Sequence, residues 1–433
     1  MNRITIEPRA DWPAKVEALG FIFHSSGGPY WNESAYYDFT ATEIDTLESA
    51  TNELFRLCLE AVERVIEGNL FARLHIPERC IPLIRNSWER EDLSLFGRFD
   101  LRFDGGGPPT LYEFNADTPT SLLEASVVQW DWLRECLPEK DQFNSIHEKL
   151  IARWAESGIA GPVHFACVRD HAEDLATTVY LEDTAMQAGI RTLRLYMDEI
   201  GWDGHQFVDL SDRRIEHLFK LYPWEWMMDE PFSAHLGREP WRVVEPAWKM
   251  VLSNKAILAL LWEFFPEHPN LLPAYFTPEK LDGNYARKPL LGREGNGVAL
   301  SVRGQIFGSA SPEEPCVYQQ LAAPPYFDGV FPVIGSWIVQ DTAAGIGIRE
   351  GREPVTGNMS GFVPHCFDPS PRIEKFPKST SPRNCGAIVL VGGRGSCRAD
   401  FFAVPGQPPI RTRPITKKHP PPRACPQNIN FFQ

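Results

Sequence analysis

The first clear pattern along the chain is a helical one, over residues 42–66. Apolar residues recur there three or four positions apart, namely Leu47, Leu54, Leu57, Cys58, Ala61 and Val65. This spacing places them on one face of a long amphipathic helix, and that face would be buried in the core. We expect Thr42 or Asp45 to cap the start of the helix and Gly68-Asn69 to end it.

Residues 94–130 show a different, alternating pattern. From 96 to 103, charged and apolar side chains alternate, with Arg98, Asp100 and Arg102 on one face and Phe99, Leu101 and Phe103 on the other. A glycine-rich turn at 104–108 leads into a second predicted strand at 110–115. A helix is predicted at 121–133, so this region is a β-hairpin followed by a helix.

Further strands and helices alternate irregularly through the middle of the chain. Strands are predicted at 164–168, 192–196, 285–290, 315–320, 334–340 and 345–349, and helices at 172–189 and 253–265. Because strands and helices are mixed without a strict β-α-β repeat, we predict an α/β or α+β body. The glycine-rich stretch 292–297 closely follows the strand at 285–290.

The last 66 residues differ from the rest in composition. Residues 368–433 contain 12 of the 38 prolines and show no hydrophobic periodicity. They carry a net charge of +8, whereas residues 1–367 carry −22, against −14 for the whole chain. We therefore predict a folded body over 1–367 and a basic, proline-rich tail over 368–433 that is largely disordered.

Composition also narrows the function classes. The acidic body disfavours nucleic acid as a partner, and no apolar run approaches the roughly 20 residues that span a membrane. The nine cysteines include no C-x-x-C pair, which disfavours a zinc site or a disulfide framework. The first residues are not followed by an apolar segment of the secretory type, so we expect a cytoplasmic protein. We also expect a monomer or a homodimer.

The predicted hairpin carries the first candidate chemistry. Arg98 and Asp100 share a face of one strand, Glu113 and Asn115 share a face of the next, and the turn would bring the pairs together. Two carboxylates and an amide oxygen suit Mg²⁺, while an arginine beside them suits a phosphoryl group. The same residues are also compatible with a cross-strand lattice of salt bridges, and spacing alone leaves both interpretations open.

Three more cations are candidates for binding a charged ligand. Lys255 starts a predicted helix, and Lys288 ends a strand just before Pro289 and the 292–297 loop, whose backbone amides are suited to phosphates. The loop does not match the P-loop motif, and Lys288 is alternatively an ordinary solvated side chain. Arg349 ends the glycine-rich run 343–348 and either faces a ligand or pairs with a nearby glutamate.

Taken together, these segments resemble the glutathionylspermidine synthase family, in particular its stand-alone, synthetase-like members with an ATP-grasp fold. The matching segments occur in family order, at 29–31, 98–100, 112–122, 221–225, 245–249 with 252–255, 288–289 with 293–295, and 345–350. No single short motif would produce this order by chance. The resemblance covers residues 1–367 and implies an ATP-grasp-like ligase with several lobes and mixed sheets.

The resemblance also implies a role for each candidate residue. Asp100, Glu113 and Asn115 correspond to magnesium ligands, and Arg98 and Arg349 to the arginines that hold the transferred phosphoryl group and the acyl-phosphate. For ATP, the corresponding residues are Lys255 and Lys288, Glu294-Gly295 in a loop over the phosphates, and Gln319-Gln320-Leu321 at the adenine. Thr118, Glu173 and Asp174 fall near the positions that bind the peptide and the amine.

The implied reaction is the ATP- and Mg²⁺-dependent joining of a carboxylate to an amine. ATP would phosphorylate the acid, a glutathione-like or other small peptide, and an amine or polyamine-like acceptor would displace phosphate from the acyl-phosphate. An alternative is a Mg-ATP-binding regulatory or binding protein that has lost ligation. The pair Arg98 and Arg349 argues against it, because binding alone needs no second arginine at the reacting phosphoryl group.

The sequence departs from the family in three features. No carboxylate lies between Glu353 and Asp368, where spermidine-using members place one, and Asn358 is the nearest polar residue. This departure weakens the case for spermidine as the acceptor. The amidase domain of the bifunctional members has no counterpart in this sequence, so we do not expect the chain to hydrolyse the amide that it forms. Stand-alone members of the family end soon after a segment that resembles residues 364–367. The resemblance therefore implies nothing about the structure or role of the tail.

Overall fold

The computed structural model describes residues 1–25, 28–237, 241–293, 295–308, 314–357 and 360–369. Met1–Asp368 form one compact unit, which holds every helix and strand given below. Most of the predicted tail, including its expected disorder, lies outside the described residues, as do Glu294 and Asn358. The domain boundary at residue 367 stays a prediction.

Helices make up one part of this unit. The described residues form α1 (Trp12–Ala18), α2 (Ala41–Glu67), α3 (Ile81–Glu89), α4 (Gln129–Cys136), α5 (Ile146–Ala155), α6 (Ala172–Gln187), α7 (Trp224–Asp229), α8 (Met250–Ser253) and α9 (Ile257–Phe264). A π-helical turn, Glu124–Val128, precedes α4. Short 3₁₀ segments lie at Leu70–Leu74, Glu78–Cys80, Met197–Glu199, Pro231–His235 and Ala247–Lys249. None of the described helices is both long and apolar enough to cross a bilayer.

The helix α2 covers the predicted helix 42–66 but begins earlier than expected. Thr40, not Thr42 or Asp45, caps it, because the Thr40 hydroxyl accepts from the Glu43 amide and the Glu43 carboxylate accepts from the Thr40 amide. This reciprocal pair satisfies two amides that the helix itself leaves without partners. The helix ends at Gly68, as predicted.

The predicted helix 253–265 is interrupted in the structure. Asn254 is extended (φ −87°, ψ 121°), and its side chain accepts from the Ala256 amide at 2.9 Å and donates to the Leu74 carbonyl at 2.6 Å. These bonds replace helical hydrogen bonds and separate α8 from α9. Lys255 lies in this break, and its amide donates to the Leu290 carbonyl at 2.8 Å. The break therefore ties Lys255 to the start of the glycine-rich loop.

The predicted strands are found within three residues of their expected bounds, together with others that the sequence did not indicate. They are β1 (Asn2–Thr5), β2 (Ala35–Phe39), β3 (Phe96–Arg102), β4 (Thr110–Asn115), β5 (Val163–Cys167), β6 (Thr192–Tyr196), β7 (Gly201–Trp202), β8 (Phe207–Val208), β9 (His217–Leu221), β10 (Arg242–Val244), β11 (Ala274–Tyr275), β12 (Tyr285–Pro289), β13 (Ala299–Val302), β14 (Gln305–Phe307), β15 (Cys316–Gln320), β16 (Phe331–Val339), β17 (Thr342–Gly351), β18 (Gly361–Val363) and β19 (His365–Phe367).

Five strands form the antiparallel sheet that carries the hairpin, in the order β18-β17-β16-β3-β4, called the hairpin sheet below. A second antiparallel sheet, β11-β15-β12-β13-β14, carries Lys288 and is called the Lys288 sheet. The strands β10, β9, β5 and β6 form a parallel sheet, while β1-β2-β19 and β7-β8 form smaller ones. This mixture of parallel and antiparallel sheets with helices confirms the predicted α/β, partly α+β class.

The helix α2 packs against β16 and β17 of the hairpin sheet. Its buried apolar residues belong to one core cluster with Phe99 and Phe114 of the hairpin. The rings of Phe99 and Phe114 stack with centroids 3.9 Å apart, and Thr51 on α2 shares a 2.6 Å hydrogen bond with Ser336 on β16. The apolar face of the hairpin is thus fixed in the core, which leaves its charged face for ligands.

Candidate active site

The strands β3 and β4 bring together the four polar side chains expected of the hairpin. In their antiparallel register Arg98 lies opposite Asn115, and Asp100 lies opposite Glu113. A bulge follows Asp100 and changes the register of the remaining pairs. The strands therefore place both carboxylates, the amide and the guanidinium at neighbouring positions, as the alternation along 96–103 predicted.

The Arg98 side chain is held in a fixed position by the residues around it. Its Nε donates to Asp100 Oδ1 at 2.7 Å, and its Nη1 donates to the Thr120 carbonyl at 2.6 Å. The guanidinium lies 5.7 Å from the Trp337 ring centroid. On the neighbouring strand, a Cβ at Gly335 would lie 2.8 Å from Arg98 Cδ, so only glycine leaves room for this side chain. Arg98 is therefore pre-positioned before any ligand binds.

Arg98 and Arg349 line the same cavity, together with Asp100 and Thr356. The Nη2 of Arg349 donates to the Gly357 carbonyl at 2.8 Å. Its Nε is buried and has no hydrogen-bond partner within the described residues. Arg98 is buried and Arg349 is half-buried with an unpaired, buried Nε, so the two guanidinium groups on this cavity are suited to an anionic ligand.

Lys255 connects the hairpin to the glycine-rich loop. Its Nζ lies 3.1 Å from Glu113 Oε2 and donates to the Gly292 carbonyl at 2.6 Å. The break in the helix at Asn254 positions this side chain, because the Lys255 backbone is bound to Leu290 beside the same loop. The ion pair of Glu113 is thus made with a lysine from outside the hairpin, whereas the alternative interpretation expected a cross-strand partner.

Lys288 lies at the contact between the Lys288 sheet and β4. Its Nζ donates to the Tyr112 carbonyl and to Gln319 Oε1, each at 2.8 Å. Gln319 in turn donates from Nε2 to the Leu111 carbonyl at 2.9 Å. Both side chains are buried, so the alternative of a solvated Lys288 is wrong. Their bonds to consecutive carbonyls of β4 keep the lysine close to Glu113.

The charged groups of this cluster shift one another's pKa values. Burial lowers the pKa of Lys288 to about 8; the negative charge of Glu113 opposes this shift, and the positive charge of Lys255 adds to it. Burial acts to raise the pKa of Glu113, but the charges of Lys255, Lys288 and Arg98 outweigh it and hold that pKa below its usual range. Such mutual perturbation is typical of sites that bind charged ligands.

The donors of the cluster fit a magnesium ion bound to phosphates. The carboxylates of Asp100 and Glu113 and the amide of Asn115 supply hard oxygen atoms, which Mg²⁺ prefers. The Nδ2 of Asn115 is buried and has no hydrogen-bond partner in the part of the chain that the structure describes, and as an N–H donor it suits a phosphate oxygen and not the metal itself. Lys255 and Lys288 match the negative charge of phosphate oxygens.

Comparison with known proteins agrees with this arrangement. The sequence model of the family described as glutathionylspermidine synthase preATP-grasp matches residues 3–368 of the chain. The chain belongs to the glutathionylspermidine synthase family. The resemblance seen in the sequence motifs is therefore confirmed over nearly the same residues.

Three relatives show what the family contains. A candidate acid–amine ligase of Haemophilus influenzae is 43% identical, over 85% of this chain and 100% of that protein. A trypanothione synthetase of Crithidia fasciculata is 30% identical, over 70% of this chain and 52% of its own length. A bifunctional glutathionylspermidine synthetase/amidase of Escherichia coli is 29% identical, over 82% of this chain and 63% of its own length. The predicted enzyme class, an acid–amine ligase that forms a carbon–nitrogen bond, is confirmed.

A solved structure supports the fold. A glutathione synthetase-like effector of Globodera pallida, in its apo form, matches with a TM-score of 0.53 at 10% identity, over 84% of this chain and 98% of that chain. Together with the family assignment, this match confirms the predicted ATP-grasp-like fold.

In this glutathionylspermidine synthase family member, the glycine-rich loop reaches towards the expected substrate residues. Arg293 of the loop donates to Thr118 Oγ1 at 2.7 Å and pairs with Glu225 at 2.7 Å. Gly295 has a φ of 70°, and a Cβ there would lie 2.7 Å from the Thr356 carbonyl beside the arginine cavity. The structure thus brings Thr118 and Gly295 to the site, while Glu294 lies outside the described residues.

The two acidic residues expected to bind substrate lie differently. Glu173 is close to Arg349; burial raises its pKa, whereas a hydrogen bond with Thr120 and the charge of Arg349 oppose the shift. Asp174 instead pairs with His171 at 3.2 Å, at the N-terminus of α6. Of these two residues, Glu173 is the one that interacts electrostatically with Arg349 of the arginine cavity.

The segment expected at the adenine begins beside Lys288 and turns away from it. Gln319 is bound to Lys288, whereas the side chain of Gln320 is exposed. The Gln320 amide donates to the Pro273 carbonyl at 2.7 Å, and the Leu321 amide donates to the Asn284 carbonyl at 3.2 Å. Gln319 therefore joins the cluster directly, and Gln320 and Leu321 form the chain that leads away from it.

Sequence reasoning missed one group beside the cavity. Glu124 is buried in the π-helical turn and accepts from the Tyr30 hydroxyl at 2.8 Å, which also contacts Ser121 Oγ at 2.9 Å. Burial and the neighbouring Glu173 raise the pKa of Glu124 to about 7. A single carboxylate within the apolar stretch 122–128 was the available signal, since buried carboxylates without a role are uncommon.

The raised pKa of Glu124 predicts a contribution to the free energy of unfolding that decreases as pH rises. Its folded pKa of about 7 exceeds the unfolded value of 4.5, so the folded protein holds a proton that the unfolded chain releases between these values. The stabilisation is complete below the unfolded pKa and is lost as pH rises through about 7. We expect Glu124→Gln to remove about 3 kcal/mol of pH dependence from the unfolding free energy between pH 4 and 8.

Urea unfolding at a series of pH values measures this effect, with Glu67→Gln at an exposed position of α2 as the control. The control variant should follow the wild-type curve. If the Glu124→Gln curve also runs parallel to the wild-type curve, the carboxyl of Glu124 does not carry the raised pKa.

Proposed function

We propose that the protein joins the carboxylate of a small, peptide-like acid to an amine, in a reaction that uses Mg²⁺ and ATP and proceeds through an acyl-phosphate. The observation that carries the proposal is the convergence of Asp100, Glu113 and Asn115 with two lysines beside a cavity lined by Arg98 and Arg349. These residues come from four separate segments within residues 98–349, and a surface salt-bridge lattice would not require their convergence.

In this proposal each group has a defined task. Bound Mg²⁺ and ATP would supply charge neutralisation and the phosphoryl group that activates the acid. Asp100, Glu113 and Asn115 would hold the metal, and Lys255 and Lys288 would hold phosphate oxygens. Since Arg98 is already fixed by protein contacts, its charge needs little reorganisation during the reaction.

The substrates are proposed from the groups that border the arginine cavity. Arg349 and Arg98 would receive the carboxylate of the acid, and Thr118 would bind the peptide. Glu173 and Glu124 form an acidic neighbourhood next to Arg349, which suits a positively charged amine. Asp174 stays a weaker candidate because its partner is His171. The cytoplasmic location and the monomeric or homodimeric state stay predictions.

The test is ATP turnover over a panel of small peptides and amines, including glutathione with spermidine, with amide products identified by mass spectrometry. Amide formation that requires ATP and Mg²⁺ is the expected result. Mg-ATP binding without turnover on any acceptor would instead favour a regulatory protein that has lost ligation. Absence of Mg-ATP binding would show that the cluster is structural.

A variant checks the metal assignment. Asp100→Asn removes one unit charge beside the expected metal, an effect of about 1 to 4 kcal/mol at contact distance, so the apparent Mg²⁺ affinity should fall at least about fivefold. Asp104→Asn is the matched control, because Asp104 pairs with Arg102 at 2.8 Å as Asp100 pairs with Arg98 at 2.7 Å. Equal Mg²⁺ dependence of both variants would contradict the assignment.

A further inference from the structure

The first strand of the hairpin begins on a buried ion pair. Glu245 Oε1 accepts from the amides of Leu95 and Phe96, each at 3.0 Å. The Nζ of Lys249 lies 2.5 Å from Glu245 and donates to the Phe96 carbonyl at 2.7 Å. Both charged side chains are completely buried. The two polar backbone groups of Phe96, two residues before Arg98, are therefore bound by the members of one ion pair.

The second strand of the hairpin ends on another buried ion pair. Asp117, two residues after Asn115, accepts from Lys220 Nζ at 2.7 Å and from the Trp224 amide at 2.8 Å. Lys220 also donates to the Tyr222 carbonyl at 2.9 Å, and its Nζ lies 4.6 Å from the Trp224 ring centroid. Asp117 and Lys220 are both buried.

One tryptophan connects the two ion pairs. The Trp224 amide donates to Asp117, and the Trp224 Nε1 donates to the Glu245 carbonyl at 3.0 Å. Lys220 lies on β9, and Glu245 directly follows β10, which pairs with β9 in the parallel sheet. Both ends of the hairpin are therefore attached to two neighbouring strands of the parallel sheet.

The energetics argue that these charges do more than stabilise the fold. Removing two charges from water costs several kcal/mol per ion, and apolar replacements of a buried pair are often as stable or more stable. Compared with apolar packing, a buried ion pair adds directional hydrogen bonds, which fix the positions of the groups that they join. Here the backbone groups of Leu95 and Phe96 are held just before Arg98, and the side chain of Asp117 is held just after Asn115.

We propose that Asp117–Lys220 and Glu245–Lys249 are positioning pairs that hold the two ends of the β3–β4 hairpin, so that its metal-binding groups stay in register. The proposal rests on the proposed function for the identity of the ligand. It gives a role to the segments 221–225 and 245–249, which matched the family in sequence without any assigned chemistry. Outer partners of metal ligands typically change metal affinity by about 10- to 100-fold when they are replaced.

Asp117→Asn tests the pair at the end of β4. It keeps the shape of the side chain but removes the charge that faces Lys220. The matched control is Asp209→Asn, because Asp209 is also buried, accepts from Arg213 Nε at 2.7 Å and contacts His164 of the parallel sheet. Isothermal titration with the non-hydrolysable analogue AMP-PNP in the presence of Mg²⁺ should show at least about tenfold weaker binding for Asp117→Asn. The control should bind within twofold of the wild type.

A second variant separates positioning from loss of folding. Asp117→Asn combined with Lys220→Met removes both charges, so the melting temperature should recover while AMP-PNP binding stays weak. Wild-type affinity in either Asp117 variant would overturn the proposal. Melting temperature alone cannot support it, because Asp209→Asn is expected to lower this value as well.

Hydrogen exchange in the ligand-free protein supplies a readout that does not depend on the proposed function. The backbone amides of residues 110–121 should exchange at least about tenfold faster in Asp117→Asn than in Asp209→Asn, since an opening easier by 1.4 kcal/mol gives that factor. If the wild type fails to bind AMP-PNP with Mg²⁺, the proposed function is wrong, and exchange alone decides the positioning role. Equal exchange in the two variants would overturn it.

Discussion

Replacing Glu113 with glutamine is expected to lower kcat for amide formation by about 10³-fold, the upper range for loss of one pre-organised electrostatic group. Glu113 lies opposite Asp100 in the hairpin and 3.1 Å from the Lys255 ammonium. The substitution removes a proposed metal ligand and also removes the negative charge that balances Lys255 and Lys288. Both effects act on the phosphoryl group, so substrate saturation would not restore the rate.

The pH profile gives a second, independent sign of this change. Lys288 binds phosphate best when charged, and burial lowers its pKa to about 8, so kcat/KM for ATP should fall as pH rises through that value. The charge of Glu113 opposes the lowering. In Glu113→Gln this fall should therefore move to lower pH.

Steady-state kinetics from pH 6 to 9 measures both effects, with Glu60→Gln as the control for loss of an ion-paired glutamate on α2. The control should keep the wild-type rate and profile. A decrease of less than tenfold in kcat for Glu113→Gln, with an unshifted profile, would show that Glu113 is not a ligand of the reacting complex.

The hairpin was predictable because its information is local. Alternating side chains along 96–103 determine which residues share a face, and the short turn determines which strand lies beside it. Only the register needed the structure, which places Arg98 opposite Asn115 and Asp100 opposite Glu113 with a bulge after Asp100. Spacing alone left the metal and salt-bridge interpretations open, and the family resemblance supplied the functional one.

The contacts of Lys255 were not predictable from periodicity. Its apolar neighbours indicate one continuous helix over 253–265, because periodicity registers which positions are buried and not which hydrogen bonds hold them. The side chain of Asn254 interrupts that helix by binding Leu74, which is 180 residues away. A tertiary contact therefore decided where this lysine lies.

The buried charges show the same limit. Asp117 and Lys220 are 103 positions apart, and neither stands in a pattern that indicates its partner. Glu124 offered a weak signal as a carboxylate within an apolar stretch, but its contact with Tyr30 spans 94 positions. Pairing of buried polar groups follows from the assembled fold, so the sequence predicts that partners exist and does not predict which residues they are.

Replacing Arg98 with lysine is expected to lower kcat by about 10²-fold while leaving the fold intact. The guanidinium donates to Asp100 at 2.7 Å and to the Thr120 carbonyl at 2.6 Å, and it also borders the cavity shared with Arg349. A lysine keeps the charge, but its single nitrogen does not reproduce the fixed fork that serves Asp100, Thr120 and a phosphoryl group together.

The matched control is Arg102→Lys, on the same strand. Arg102 pairs with Asp104 two positions later, as Arg98 pairs with Asp100, but its side chain is 27% exposed against 8% for Arg98. An exposed pair of this kind contributes little, so this variant should keep wild-type kcat. AMP-PNP binding should stay within about threefold of the wild type in Arg98→Lys, because the lost contacts are proposed to act on the transferred phosphoryl group. Equal loss of binding and kcat would instead make Arg98 a general nucleotide-binding residue.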